Sequence, residues 1–221
     1  MEPNTEPTPV EETTEQVVPV AKLEKRKKPE PAPELTPEGL EEIVDTETDF
    51  AEIDFANTSG EIKIGDEVRL TVKSLVFGKL FIKLRDGGTY EFNRAGTTHE
   101  MTMKELRELK STQLTFFKNQ WLLIMGISPS DTTACNATPA DVYRSLGVAK
   151  FFQNYIDPTS FRYVCALKPN EIETRTKILT PQAKGNLIVA LRGYIEKGVM
   201  RDLKLIEAWE EHLGTELLSK R

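Results

Sequence analysis

Two cysteines and two histidines are the whole supply of thiols and imidazoles in this 221-residue chain. Cys135 and Cys165 stand 30 residues apart without a CxxC spacing, and only His99 and His212 accompany them. A structural zinc site needs four such ligands in close pairs, and a disulfide scaffold needs a denser cysteine framework. Neither is expected here, so both sulfurs read as buried or half-buried thiols in a reducing compartment. A Cys/His nucleophilic site would require a base within hydrogen-bond reach and a third group to orient it, and nothing local indicates that arrangement. There is no Gly-x-Ser-x-Gly elbow, phosphate-binding loop, dinucleotide fingerprint or His-x-x-x-His pair. The expectation is a protein that is not an enzyme, with no catalytic residues, no cofactor and no metal.

Cationic side chains are the next candidates, because phosphate or acidic partners are met by clustered Lys and Arg. Lys25, Arg26, Lys27 and Lys28 form one run, flanked by glutamates that weaken its field. Lys79, Lys83 and Arg85 form a second set, on a segment where they share one face with Phe81 and alternate with Leu80, Ile82 and Leu84. Phe77, Phe81 and Tyr90 supply rings on which bases stack in single-strand binders. These seven cations are the candidate interaction residues. Lys184, Arg192, Lys197, Arg201 and Lys204 suggest a helix-turn-helix, but Glu207, Glu210 and Glu211 lie on the same recognition-helix candidate and would oppose a polyanion. Protein partners are therefore favoured over nucleic acid.

Charge divides the chain. Residues 1–60 hold 16 acidic and 5 basic side chains and 8 of the 13 prolines. Such a segment buries too little apolar surface to offset chain entropy, so it reads as a disordered acidic tail, with a Pro-Glu tether at 22–34. Residues 61–221 carry 24 basic against 19 acidic side chains. A mildly basic body fits a tail that covers it, a polyanion that meets it, or an ordinary solvated surface, and the last is the default. No cationic start with an apolar core opens the sequence, so no secretory signal is expected. The longest apolar run, at 121–127, is too short to span a bilayer.

The elements that position these residues follow from periodicity. Alternation at 68–73, 79–85 and 89–93 predicts three strands forming an antiparallel meander, with Phe77, Gly78 and Lys79 as one turn and Asp86, Gly87 and Gly88 as the next. Thr102 and Glu105 make a capping box for a helix carrying Met103, Leu106, Leu109, Leu114 and Phe117. The run 121–125 predicts a central or buried extended segment. Thr138, Pro139 and Asp141 open a short helix that Gly147 stops, and a second helix is expected over 148–156 with Phe151, Phe152 and Tyr155 as core. Three helices then follow: one capped by Asn170, one restarted by Thr180 and Pro181 with Ala183, Leu187, Leu191 and Ile195 on a stripe, and one capped by Asp202. The last places Leu203, Ile206, Trp209 and Leu213 inward and ends at Gly214. The fold class is α+β: an antiparallel meander packed with a helix at 61–127, a helical linker at 128–169, and an all-α module at 170–221.

The strings IVALRGYIEKGVMRDLKLIEAWEEHLGTEL (188–217), KSLVFGKLFI (73–82), TYEFN (89–93), MKEL (103–106) and FFKNQWLLI (116–124) together resemble virion structural and assembly proteins of large tailed bacteriophages. The resemblance covers about two thirds of the chain, its motifs are of packing type, and it brings no functional residues with it. It implies a virion-associated, protein–protein interaction component, located in the particle or the host cytoplasm, with other virion proteins as partners and no membrane. A small nucleic-acid-binding or transcription-modulating protein is the alternative.

Overall fold

A computed structural model describes residues 53–56, 63–133 and 135–218, all within one compact unit. The chain is α+β, with antiparallel sheets followed by a helical half, as the periodicities predict. The proposed tail over 1–60, apart from 53–56, and the lysine-arginine run at 25–28 lie outside the described residues. Ile53, inside the stretch read as tail, is only 8% exposed and joins the core with Phe55 packed against it, so ordered packing includes this part of 1–60.

The strands pair differently from a continuous meander. β1 (Arg69–Ser74) is flanked by β4 (Thr98–Thr102) on one side and β5 (Leu122–Ile127) on the other, all antiparallel. β2 (Leu80–Lys83) and β3 (Thr89–Phe92) form a separate hairpin. Residues 77–79 are thus no hairpin turn. Instead Leu75 donates its N–H to Trp121 O at 2.9 Å, which leads the chain out of the sheet. The Asp86–Gly88 turn forms as expected, with Gly87 at φ 94° and Leu84 N–H bonded to Gly88 O at 2.8 Å. The 121–125 run is a strand, though at the sheet edge and not its centre; the centre is β1. A register shift between Thr71 and Val72 places Gly126, at φ 145°, in a bulge that only glycine adopts freely.

Helix α1 (Met103–Thr112) starts at the expected capping box, Thr102 Oγ1 accepting from Glu105 N–H and Glu105 Oε2 accepting from Thr102 N–H. It buries Met103, Leu106 and Leu109, whereas Leu114 falls beyond its end and is exposed. A single turn, α2 (Thr115–Lys118), buries Phe116 and Phe117. α3 (Pro139–Ser145) has the Thr138/Asp141 box, and its Tyr143 hydroxyl accepts the Ile124 N–H at 2.7 Å, satisfying a backbone donor of β5. The helix expected over 148–156 is one 3₁₀ turn, Ala149–Phe151, yet Phe152 still enters the core against Tyr143 and Tyr155 against Phe152, while Phe151 is only partly buried.

The helical half comprises α4 (Phe161–Ala166), α5 (Pro169–Ile178), α6 (Pro181–Glu196) and α7 (Leu203–Leu213). α4 is an addition to the expected elements, a short helix capped by Ser160 in a stretch without a strong apolar period. α5 begins at Pro169, so its cap is Lys168 and not the expected Asn170, with Glu171 accepting the Lys168 N–H at 2.8 Å. α6 and α7 keep their Thr180 and Asp202 caps, and Gly214 ends α7 in the left-handed conformation at φ 67°. Leu203, expected inward, is 61% exposed at the first position of α7, while Ile206 and Trp209 on the same stripe are buried. Two apolar cores result: one gathers residues from Ile53 to Tyr155, the other those from Ile156 to Leu217 together with Phe77 and Ala95. The 128–169 segment contributes to both.

Candidate interaction surface

The β2–β3 hairpin gathers three of the candidate cations. Strand alternation turns Leu80 and Ile82 into the core and Phe81 and Lys83 outward, with Lys79 and Arg85 exposed at either end of β2. Register sets Glu91 opposite Phe81 and Thr89 opposite Lys83. Phe81 is 60% exposed, and Lys79 lies 3.6 Å from Glu91. The other two rings are committed elsewhere: Phe77 is buried in the helical core, and Tyr90 donates its hydroxyl to Glu105 at 2.7 Å. Burial, then that carboxylate, pushes the Tyr90 phenol well up, so it stays a donor.

The hairpin is held firmly beneath its outer face. Besides the Tyr90–Glu105 bond, the Arg85 N–H donates to Glu108 of α1. His99 Nε2 lies 2.8 Å from Glu91 O, and its ring meets Phe92 edge-on at 4.7 Å. His99 is therefore a splice between β3 and β4. Acidic groups stand among the cations on every side: Glu91 by Lys79, Glu108 by Arg85, and Asp66 paired with Arg107. Lys104 is exposed, and Arg107 also bonds Ile64 O at 2.8 Å. Lys79, Arg85 and Arg107 thus share their surroundings with carboxylates, while Lys83 and Lys104 are exposed.

The helix-turn-helix reading loses two of its contacts to the fold. Arg192 donates to Glu216 O at 2.9 Å, and Arg201 donates to Gly198 O. Cys135 and Cys165 are both free and half-buried; burial, then the Asp202 charge, pushes the Cys165 thiol up to about 11. Among the described residues no three His, Cys, Asp or Glu side chains gather as metal ligands, and no helix is long and apolar enough to cross a membrane. An open groove of about 430 Å³ runs past Lys63, Asp66, Glu67, Cys135 and Asn136.

Sequence reading missed the most unusual pair in the molecule. Lys73, which the alternation over 68–73 groups with Arg69 and Thr71, and Asp157, just past the helix expected over 148–156, are both 0% exposed, with Nζ 2.6 Å from Oδ2. Thr159 donates its N–H at 2.9 Å and its hydroxyl at 2.6 Å to Asp157 Oδ1. The Asp-x-Thr spacing was the available signal, since it allows a side-chain-closed turn. Comparison of the chain with protein-family models, with curated proteins and with solved structures gives no match.

Proposed function

We propose that the protein is a non-enzymatic protein–protein interaction component, a virion structural or assembly protein that docks through the outer face of its β2–β3 hairpin. The observation that carries this reading is Phe81, 60% exposed and flanked along its strand by Lys79 and Lys83, on a hairpin clamped from below by Glu105 and Glu108. An exposed aromatic on a rigid support loses little entropy on docking, and such rings anchor interfaces. The virion setting rests on the sequence resemblance alone. Nucleic acid is the weaker reading, because the carboxylates interleaved with these cations oppose a phosphate backbone.

A photo-crosslinking amino acid placed at position 81, with Thr132 as an exposed control position, tests the surface in cells that make the protein. Protein adducts that form at 81, not at 132, and that fade with Lys83→Glu are the expected result. Absence of adducts at 81 would remove the hairpin from consideration. Adducts digested by nuclease would favour the nucleic-acid reading.

A further inference from the structure

We propose that Lys73 and Asp157 join in an intramolecular amide bond, a self-catalysed crosslink between the sheet core and the helical core. This inference is independent of the docking surface. Three features of the site converge on it.

The nucleophile and electrophile are already in place. Lys73 Nζ lies 2.6 Å from Asp157 Oδ2, and neither side chain has exposed surface. Reactants held this way avoid the entropy of encounter. The other carboxylate oxygen, Oδ1, accepts from the Thr159 N–H at 2.9 Å and the Thr159 hydroxyl at 2.6 Å. Two donors on one oxygen polarise the carbonyl and receive the charge that develops there on attack, as an oxyanion hole does. Finally, the usual self-reaction of an aspartate is closed off. Attack by the following backbone nitrogen needs an N–H, and residue 158 is proline. The segment is also fixed: Pro158, Thr159 and Ser160 are buried, and Pro158 O accepts from the Tyr194 hydroxyl at 2.9 Å.

The step balances without an outside reagent. One proton passes from the Nζ ammonium to Oδ2 along their hydrogen bond, leaving an amine and a carboxylic acid. The amine lone pair attacks Cγ, forming the C–N bond and placing the negative charge on Oδ1. A second Nζ proton moves to the Oδ2 hydroxyl, the Cγ–Oδ2 bond breaks, and water leaves as the carbonyl re-forms. The product is a neutral amide, which removes two charges from an interior where they are costly to keep.

Intact-mass spectrometry of the denatured full-length chain reads the outcome, and it does so whether or not a variant folds. Allowing for removal of the initiator Met, the wild type is expected to weigh one water, about 18 Da, less than its sequence. Lys73→Arg and Asp157→Ala are expected at their full sequence masses. Digestion must yield a branched peptide joining positions 73 and 157. A wild-type mass equal to the sequence mass would overturn the proposal, and so would a loss of water located at Asp86–Gly87. In a time course after cell-free synthesis, Thr159→Val should crosslink about 10²-fold more slowly; an unchanged rate would overturn the role given to Oδ1.

Discussion

Trp209 has no exposed surface, and its indole N–H has no hydrogen-bond partner among the described residues. Its contribution is therefore packing. Trp209→Ala should lower unfolding free energy by about 3 to 5 kcal/mol in denaturant titrations, and Trp209→Phe should cost less because a ring still fills most of the space while the unpaired donor is gone in both. Lys73 is buried for the opposite reason, through its partner. Replacing it alone with Met strands the Asp157 carboxylate in a dry interior, at a cost of about 3 to 5 kcal/mol relative to a chain without that charge. Adding Asp157→Leu removes the stranded charge, so the double variant should be more stable than Lys73→Met by several kcal/mol. If the two unfold at the same denaturant concentration, the buried pair is not what makes these positions sensitive.

At the scale of elements, the ends of helices were the most legible features, because a cap is a contact within four residues. Thr102, Thr138, Thr180 and Asp202 all cap as their spacing implies. Thr138→Ala and Thr102→Ala should each cost about 1 kcal/mol by equilibrium unfolding. Leu203, in contrast, belongs to the apolar stripe of α7 by spacing but stands in solvent, so Leu203→Lys should change stability by less than about 0.5 kcal/mol. A larger loss would mean that the stripe, and not the observed exposure, describes its surroundings. Strand pairing was the least legible. His99 and Met101 alternate with Thr98, Glu100 and Thr102, a signal for β4 that the neighbouring helix cap obscured.

For the whole molecule, the carboxylates that tie loops and helices set the pH response. Hydroxyls of Ser128 and Ser130 hold Glu100 below its ordinary range. Thr133 and the Arg69 N–H do the same for Asp131, and Lys177 for Glu173. Each folded-state value is depressed. Their stabilisation is thus fully present above the ordinary carboxylate range and is lost as pH falls through the lowered values. Urea midpoints should decline as pH falls from neutrality to below that range, and Ser128→Ala with Ser130→Ala should lessen the decline. An identical slope in that variant would mean that Glu100 takes no part. The same scale explains the hairpin: β2 and β3 were recognised, but only packing on α1 decides that Phe81 and its lysines face outward together.

The sequence by itself determined most of the segments that become strands and helices, where most helices begin, and most of the apolar residues that turn inward along them, though not β4, α4 or the single 3₁₀ turn at Ala149–Phe151. Those properties depend on neighbours a few residues away, and chain geometry makes them local. Only the tertiary structure decided that β1 pairs with β4 and β5, that Phe77 crosses into the helical core, and that Lys73 meets Asp157. Alternation in a strand is the same whichever strand lies beside it. Lys73 looks like a solvated lysine until the fold covers both faces of the end of β1. Its partner, 84 residues away in sequence, is supplied by a loop whose position no local pattern encodes.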